Sequence, residues 1–410
     1  MTNFSAALTV APSVSWQKPA PLKVSLLVSD LSQQGAGRWG GAVRPFLLAA
    51  ALKQCGCEVK IFGFNFGEAA ALTADLPIAT ISGKPYPQFL RSAQQLLRQL
   101  DGDLIYAYKP KPTSFGIGLL HKLRTGRPLI LDIDDWELSW HGGDAGCYRP
   151  TPKQLARDLL KPNGALRQPD HPLYLQAMEK LVSRADAVTT HTQFLRQRFG
   201  GEYVPNGKDV ALFNPDRYDA AALKQRYGLM DYRVLMFPGA PRPYKGVEDV
   251  LRALEQINQP DLRLVIVGGS PYDDYDQQLE RQWGRWLIKL PKMPHIQMPE
   301  VIAAADAIVV PQRDTPAAQA QFPLKLTDGM AMAKPVLATR VGDIPEILGD
   351  TGYLIDPDSP EAMVAGIQSL FANLEAAKAQ GLRAREKCVE NYSIEAMSKT
   401  LAAILTRVMQ

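Results

Sequence analysis

The segment "PGAPRPYKGVEDV" places two cations in a turn between an apolar strand and a helix. The turn is built from glycines and prolines, and it carries Arg242 and Lys245 shortly after Gly239. Arginine forms forked hydrogen bonds with phosphate oxygens and lysine adds a point charge, so the pair is suited to bind a diphosphate. The alternative that the sequence leaves open is a pair of solvated loop charges.

A glycine pair precedes the first long helix, in the segment "QQGAGRWGGAV". Gly40 and Gly41 carry no side chain that would keep a phosphate away from the backbone amides of a helix N-terminus. The pair therefore predicts a further backbone contact to an anion. The competing interpretation is an ordinary flexible turn.

A carboxylate follows in the segment "QFPLKLTDGMAMAK". Asp328 lies on a helix predicted to begin near Pro323, and Lys325 lies one turn before it. A carboxylate at this position could chelate both hydroxyls of a ribose. The alternative is an ion pair within the helix, because Lys325 and Asp328 are three residues apart.

Two carboxylates stand at the end of an apolar strand in the first half of the chain. Asp134 and Asp135 follow "PLILDI", Trp136 comes directly after them, and Lys109 lies in the rigid basic turn "KPKP". Either carboxylate could position an acceptor or its proton, or could merely cap the next segment. Trp136 could stack on a sugar or pack in the core. Lys109 lies either near an anionic acceptor or simply at the surface.

Short apolar runs alternate with longer amphipathic stretches along the chain. Near-continuous apolar strands separated by helices indicate a parallel sheet that is covered on both faces. We therefore predict an α/β fold with two Rossmann-like, doubly wound parallel-sheet domains, whose ligand lies in the cleft beyond the carboxyl ends of the strands. The predicted boundaries are a flexible leader over 1–21, an N-terminal domain over 22–210, a C-terminal domain over 211–389 and a final helix over 390–410.

The composition excludes some classes of function. Of 410 residues, 46% are hydrophobic and 21% are charged, which is typical of a globular protein, and the net charge of +4 does not favour a nucleic-acid binder. The four cysteines show no metal-ligand spacing. No apolar run is long enough to cross a bilayer, and the start of the chain lacks a signal-peptide pattern. These features predict a cytoplasmic protein without a bound metal.

The segment "PKQLARDLLKP" has the pattern of a short basic amphipathic helix. Lys153, Arg157 and Lys161 fall on one face, and Leu155 and Leu159 fall opposite. One hypothesis is transient contact with an anionic surface, at the inner face of a membrane. The alternative is a helix that lies against its own domain.

The chain resembles a family 4 glycosyltransferase of the GT-B fold from Lys23 onward. The family's blocks occur in order: the glycine pair after the first strand, "ADAVTT", "YVPNGKDVALFNP", "PGAPRPYKGVEDVLRAL", "LVIVGG", "ADAIVVPQ" and "PLKLTDGMAMAKPVLATRVGDIPEILGDTGYLIDPDSPEAMVAGI". Each block alone is common, but their order and spacing together are specific. The resemblance implies a retaining, metal-independent hexosyl transfer without a cofactor, from a UDP-, GDP- or ADP-sugar to a saccharide, lipid-linked or small-molecule acceptor.

The resemblance also implies where the substrates bind. The donor is expected mainly in the C-terminal domain and the acceptor mainly in the N-terminal one, with the final helix crossing back to the N-terminal domain. The donor-binding residues implied are Gly40, Gly41, Gly239, Arg242, Lys245, Gln321, Phe322, Pro323, Leu324, Lys325 and Asp328. The acceptor-binding residues predicted are Lys109, Asp134, Asp135 and Trp136. The residues expected to act in catalysis are Arg242, Lys245 and Asp134.

The chain departs from the family pattern at three places. Ala240 takes the usual position of the arginine, and Arg242 stands two residues later. Ala320 replaces the first acid of the Glu–seven residues–Glu motif, whose second acid corresponds to Asp328. We expect backbone groups near Ala320, helped by Gln319 or Gln321, to hold the donor sugar instead. An aspartate pair stands where a histidine commonly follows the strand.

Two other functions compete with sugar transfer. A degenerate relative could bind a nucleotide sugar without transferring it, and the departures from the motif favour that alternative. A GT-B phosphorylase or epimerase is disfavoured, because neither a cofactor-lysine context nor an acid–base constellation is present. In the transferase interpretation, the cations and the glycine amides stabilise the departing diphosphate, and its phosphate oxygen takes the acceptor's proton. The donor base, the sugar, the acceptor and the oligomeric state stay open.

Overall fold

Two parallel sheets form the framework of the protein. The computed structural model describes residues 20–36, 44–70, 76–146, 148–270 and 273–410. Most of the predicted leader, together with Gly40 and Gly41, lies outside these residues. Within them the chain forms one sheet of seven strands and a second sheet of six, and every strand pair is parallel. The predicted α/β class with two doubly wound sheets is confirmed.

The first sheet has the strand order 3-2-1-4-5-6-7. Its central strands are apolar on both faces, as in "LIYAY" and "LILDI", and they are buried at every position. The strands are β1 Lys23–Val28, β2 Glu58–Asn65, β3 Ile78–Ser82, β4 Leu104–Tyr108, β5 Leu129–Ile133, β6 Ala187–Thr190 and β7 Glu202–Tyr203.

The second sheet repeats the same winding, in the strand order 10-9-8-11-12-13. Its strands are β8 Arg233–Phe237, β9 Leu262–Val267, β10 Leu287–Leu290, β11 Ala307–Val310, β12 Val336–Thr339 and β13 Tyr353–Ile355. In each sheet the strand order reverses direction beside the first strand. Loops that follow β1, β4, β8 and β11 therefore open into the crevices where ligands bind in this architecture.

Helices cover both faces of each sheet. Many begin at a side chain that accepts a hydrogen bond from the first turn, such as Thr192, Asp219 and Ser359. The helices are α1 Arg44–Gln54, α2 Phe89–Leu97, α3 Ile117–Thr125, α4 Pro152–Leu160, α5 Pro172–Lys180, α6 Gln193–Phe199, α7 Ala220–Arg226, α8 Val247–Ile257, α9 Tyr275–Trp283, α10 Met298–Ala303, α11 Pro316–Gln319, α12 Leu324–Ala331, α13 Ile344–Leu348, α14 Pro360–Ala372, α15 Leu374–Tyr392 and α16 Ile394–Val408.

The last helix packs against the first sheet's core. Leu401 and Ile404 of α16 are fully buried in the apolar cluster that contains Leu48 and Leu52 of α1. The helix starts later than the predicted residue 390, because α15 continues to Tyr392 and a serine cap then starts α16.

The chain passes between the two halves at two adjacent points. The Lys208 amide donates to the Tyr392 carbonyl at 2.7 Å, and the Ile394 amide donates to the Lys208 carbonyl at 3.0 Å. Lys208 follows β7, and Tyr392 and Ile394 lie at the junction of α15 and α16. The two crossings are therefore hydrogen-bonded to each other and form a common hinge.

A buried ion pair fixes the carboxyl end of β5. The Arg44 guanidinium, at the first residue of α1, donates to both Asp132 oxygens at 2.7 and 3.0 Å. It also donates to the Val204 carbonyl at 2.7 Å and to the Asn206 side chain at 3.0 Å. The Thr189 hydroxyl donates to Asp132 at 2.6 Å. One guanidinium thus ties α1, β5 and the segment after β7 together.

We expect Arg44→Met to lower the free energy of unfolding by about 3–5 kcal/mol, because it leaves the fully buried Asp132 carboxylate without its partner. Urea denaturation followed by circular dichroism measures the loss. The control is Arg407→Ala, which breaks an exposed ion pair with Glu202 and should cost less than about 1 kcal/mol. Equal losses in the two variants would contradict a special role for the buried pair.

Candidate active site

The turn after β8 is shaped by two glycines. Gly239 has a φ of 137°, and a Cβ added there would lie 3.0 Å from the Cε of Lys325. Gly246 has a φ of 66°, and a Cβ there would lie 1.8 Å from the Pro311 carbonyl oxygen. Only glycine fits at Gly246. The turn therefore packs closely against the residue that follows β11 and against the first turn of α12.

Residues 239–246, called the cation turn below, carry two positively charged side chains, and a third lies beside them on α12. Burial lowers the pKa of Lys245 well below its ordinary value, and the neighbouring charges of Lys325 and Arg242 lower it further. Burial also lowers the pKa of Lys325. The Lys245 ammonium donates to the Ala240 carbonyl at 3.3 Å. Arg242 pairs with the exposed Asp273 at 3.3 Å. A bound anion stabilises the charged form of buried ammonium groups, so this turn is suited to a polyphosphate.

Asp328 lies on α12, and its ion pair is with Lys208 rather than with Lys325 one turn earlier. The side chains of Asp328 and Lys208 are 13% and 7% exposed. The Lys208 ammonium also lies 4.4 Å from the centre of the Phe213 ring. The carboxylate that the sequence assigns to a ribose is thereby attached to the hinge. The role of Lys208 was not predicted, because the segment "PNGKD" shows only a lysine beside an aspartate, Asp209, in a turn.

The segment before α12 is held from the N-terminal half. The carbonyl of Ala320 lies 3.3 Å from Nε2 of His191, and Nδ1 of His191 lies 3.3 Å from the Asn206 amide. Burial lowers the pKa of His191 to about 4, so the ring is neutral. The rings of His191 and Phe322 are 5.9 Å apart. His191 thus spans the cleft, and it joins the Arg44 network through Asn206.

Two of the backbone amides predicted to hold a sugar are already occupied. The Ala320 amide donates to Pro316, and the Gln321 amide donates to Ala318. The Leu324 amide donates to Phe322. Pro323 is the N-cap of α12 rather than its first residue. The predicted contact through the amides of Ala320 and Gln321 is therefore wrong, because the end of the short helix α11 uses both of them. A contact through the Phe322 amide stays a prediction.

One side chain of the same segment, Gln321, contacts the cation turn. The Tyr244 hydroxyl donates to Gln321 at 3.3 Å, and the Gln319 amide donates to Asp314 at 2.7 Å. Phe322 is 6% exposed and packs in the core, and Leu324 packs partly against it. Of the predicted sugar contacts, Gln321 is the polar side chain placed beside the cation turn.

The acceptor-side residues meet where β4 and β5 end. The Tyr108 hydroxyl donates to Asp134 at 2.5 Å. Lys109, whose φ is 74°, lies 3.4 Å from Asp134 and 2.6 Å from Glu137. Burial lowers the pKa of Lys109, but the charges of Asp134 and Glu137 outweigh it, so its pKa lies well above the ordinary value. Lys109 is therefore a fixed counter-ion within an acidic cluster. Asp134 accepts one hydrogen bond, from Tyr108, and its other oxygen forms only the ion pair with Lys109.

Asp135 differs from Asp134 in its partners. One oxygen of Asp135 accepts from Trp140 Nε1 at 3.0 Å, and the other is buried with no hydrogen-bond partner among the described residues. Burial raises the pKa of Asp135 to about 6. The Trp140 ring lies 6.1 Å from the Tyr244 ring of the cation turn. Asp135 therefore has an unused oxygen close to the place where the two halves meet.

Trp136 packs in the core and does not offer a face to a sugar. The side chain is 7% exposed, the Arg198 guanidinium lies 4.0 Å from its ring centre, and the Phe194 ring lies 6.1 Å away. The prediction that Trp136 contacts the acceptor is corrected on this ground. The exposed tryptophan of the loop is Trp140, at 49%.

The structure does not describe the predicted glycine pair. Gly40 and Gly41 lie outside the described residues, so their contact to an anion stays a prediction. Within the described ranges, no group of three or more His, Cys, Asp or Glu side chains is placed to hold a metal ion. No helix among these residues combines the length and the apolar character needed to cross a bilayer.

Two family models match consecutive parts of the chain. Residues 40–215 match the glycosyl transferase 4-like domain, and residues 232–373 match the glycosyl transferases group 1 model. The first match contains the strand ends that carry Asp134 and Asp135. The second contains the cation turn and Asp328. Each side of the cleft is therefore formed by a part of the chain that matches a glycosyl transferase domain model.

Curated relatives are bacterial sugar transferases. The chain is 29% identical to the GDP-mannose-dependent alpha-(1-6)-phosphatidylinositol monomannoside mannosyltransferase of Mycolicibacterium smegmatis, over 57% of this chain and 66% of that protein. This match spans just under two thirds of the mannosyltransferase. The chain is 26% identical to the D-inositol 3-phosphate glycosyltransferase of Corynebacterium glutamicum, over 93% of this chain and 94% of that protein.

Solved structures share the fold. Anabaena Alr3699/HepE, solved in complex with UDP-glucose, superposes with a TM-score of 0.70 at 18% identity, over 94% of this chain and all of that one. The sucrose-phosphate synthase of Thermosynechococcus elongatus superposes with a TM-score of 0.69 at 16% identity, over 95% of this chain and 99% of that one. At these identities the likeness establishes the architecture alone.

Repulsion in the cation turn predicts an unusual effect of Lys245→Met on stability. The depressed pKa of Lys245 means that the unfolded chain binds more protons than the folded one between that pKa and the ordinary lysine value. Unliganded wild type therefore gains stability as pH rises through this window. Lys245→Met should raise the urea midpoint at neutral pH and remove this gain.

The matched control for this effect is Lys224→Met. Lys224 is a partly buried lysine that pairs with Asp306 at 2.7 Å, so its loss should lower the urea midpoint. A Lys245→Met protein that is destabilised as much as Lys224→Met would contradict the repulsion.

Proposed function

The chain belongs to the group 1 glycosyltransferases of the GT-B fold, and on this premise we propose that it transfers a hexose-type sugar from a nucleotide diphosphate sugar to an acceptor hydroxyl. The observation that carries the proposal is the cluster of Lys245, Lys325 and Arg242 at the end of β8. It faces the carboxylate cluster at the ends of β4 and β5, so a donor phosphate and an acceptor can meet between the halves.

The donor is held through its phosphates and its ribose. Lys245 and Lys325 bind the diphosphate from the turn and from α12, and Arg242 adds a forked contact from the rim. Asp328 accepts hydrogen bonds from the ribose hydroxyls. Lys208 keeps this carboxylate oriented from the hinge, as their ion pair in the unliganded protein indicates. Gln321 is the side chain proposed to contact the donor sugar.

Cleavage of the bond to the anomeric carbon places negative charge on the departing diphosphate. Fixed cations that lie where this charge develops stabilise the transition state more than the ground state. The side chains of Lys245, Lys325 and Arg242 neutralise the negative charge of the departing diphosphate. We therefore propose that the reaction is metal-independent and requires no cofactor. For retention, the acceptor hydroxyl approaches on the face of the leaving group, and the phosphate oxygen takes its proton.

Asp135 is better suited than Asp134 to meet the acceptor. Both carboxylates have a buried Oδ1 without a hydrogen-bond partner among the described residues, but the Oδ1 of Asp134 forms an ion pair with the Lys109 ammonium at 3.4 Å. Asp135 has no such ion pair among the described residues, and its other oxygen accepts from Trp140. We therefore propose that Asp135 accepts a hydrogen bond from the acceptor and that Asp134 positions the loop. The acceptor is a saccharide, a lipid-linked sugar or a small molecule.

The cation cluster predicts a specific kinetic defect. Lys245→Ala and Arg242→Ala should each lower turnover roughly 100- to 1,000-fold, about 2.7–4 kcal/mol in the transition state, and weaken donor binding much less. The measurement is release of nucleoside diphosphate from UDP-, GDP- and ADP-sugars, with and without candidate acceptors. The control is Arg252→Ala, a half-exposed arginine of α8 that pairs with Glu248.

Two results would overturn this part of the proposal. Near-normal turnover in both cation variants would remove these residues from the mechanism. A wild-type protein that binds a nucleotide sugar but never releases nucleoside diphosphate would instead favour the alternative of a binding protein without transferase activity.

Asp328→Asn tests the ribose contact. Because a hydrogen bond to a charged group contributes about 1.5–3 kcal/mol, the variant should bind the bare nucleoside diphosphate and the full donor about tenfold or more weakly, and by the same factor. It should also lose discrimination against the 2′- and 3′-deoxy nucleotides. The control is Asp306→Asn, a carboxylate of the same half that pairs with Lys224. Normal nucleotide affinity in Asp328→Asn would place the ribose elsewhere.

A further inference from the structure

Helix α4, Pro152–Leu160, has a buried carboxylate and exposed leucines. Of its nine residues, the one that is buried is Asp158. Leu155, Leu159 and Leu160 are 39%, 52% and 78% exposed. A surface helix of a globular protein normally turns its apolar stripe to the core and its charges to water. Here the carboxylate faces the protein and the leucines face outward.

Polar contacts attach α4 to the rest of the chain. Asp158 accepts from the Tyr148 hydroxyl at 2.9 Å and from Arg157 at 3.1 Å. A Cβ added to Gly164 would lie 2.2 Å from the Asp158 carbonyl oxygen, so the chain after the helix returns closely against it. A capping box at Thr151 fixes the first turn. The helix is thus held in place while its leucine face stays uncovered.

The charges beside the leucines are basic. Lys153, Arg157 and Lys161 are all exposed, and the acidic residue of the helix, Asp158, is the buried one. Exposed leucines on one face and lysine and arginine on the other form the pattern of a helix that lies in the interface of an anionic bilayer. We propose that α4 docks the protein on an anionic lipid surface.

A second copy of this chain fits the same face less well. A twofold contact would place the same patch against itself, so basic side chains would meet basic side chains. An anionic bilayer instead complements the charge and accepts the leucines. This argument selects the lipid as the occupant.

The position of α4 connects docking to the acceptor side of the cleft. The helix follows the loop that carries Asp135 and precedes Asp170, which pairs with Lys111 at 2.9 Å. Lys111 also pairs with Glu137 of the acceptor-side cluster at 3.1 Å. An acceptor presented by the bilayer would therefore enter beside these carboxylates. This last step rests on the proposed transferase function, whereas the docking itself does not.

Vesicle binding tests the proposal. The full chain is mixed with vesicles of phosphatidylcholine alone or of equal parts phosphatidylcholine and phosphatidylglycerol, at low and at physiological salt, and the bound fraction is measured by flotation. Wild type should bind the anionic vesicles at least tenfold more tightly than the neutral ones. Leu155→Gln with Leu159→Gln should lose about tenfold in affinity. Lys153→Gln with Lys161→Gln should lose about 25-fold, since each basic residue near the surface contributes about fivefold.

The control replaces two apolar residues of similar exposure on α15, as Leu382→Gln with Val389→Gln. It should bind like wild type, and all variants should unfold at the wild-type temperature. Absence of wild-type binding to anionic vesicles at low salt would overturn the proposal, as would a leucine variant that binds normally. A leucine variant that only converts a dimer to a monomer would show that the face binds a second copy. Release of nucleoside diphosphate in the absence of vesicles, measured on the same variants, reports separately on the transferase function.

Discussion

The burial of two neighbouring lysines, Lys245 and Lys325, is the constraint on which the site depends. The winding of the second sheet brings the turn after β8 and the start of α12 to the same edge, and Gly239 lets the two lysines approach. Burial lowers the pKa of Lys245, and the charges of Lys325 and Arg242 lower it further. Folding of the sheet thus stores an unfavourable interaction that a bound polyphosphate relieves. This is how a stable fold is biased toward a charged ligand.

The other half of the cleft is organised by hydrogen bonds rather than by repulsion. Arg44 and Asp132 fix the ends of the first sheet, and Asn206 and His191 extend this network to the Ala320 carbonyl. Lys208 makes a second link, because it joins the hinge to Asp328. Asp328, which we propose binds the ribose, and the segment at Ala320 are therefore both held by residues that precede the C-terminal sheet. The proposed donor contacts and the relative position of the two halves are physically coupled.

The sequence predicted the fold better than it predicted the individual contacts. Apolar strands and glycine-rich turns are local patterns, so the two sheets and the turn at Arg242 and Lys245 could be predicted. The partners of Asp328 and Ala320 could not, because Lys208 and His191 lie more than a hundred residues away along the chain. Trp136 shows the same limit: its neighbour Arg198 covers the ring only after folding. The amides of Ala320 and Gln321 were misjudged because α11, a four-residue helix, left no pattern in the sequence.

Calorimetric titration of nucleoside diphosphates tests the central claim most directly. UDP, GDP and ADP are each compared with the corresponding monophosphate, at mildly alkaline pH, in two buffers of different ionisation enthalpy. Because an anion raises the pKa of Lys245, binding of the preferred diphosphate should take up a proton from the buffer, and the monophosphate should bind more weakly with less uptake. Equal affinity for the two nucleotides, or binding without proton uptake, would contradict a diphosphate site built on buried, mutually repelling lysines.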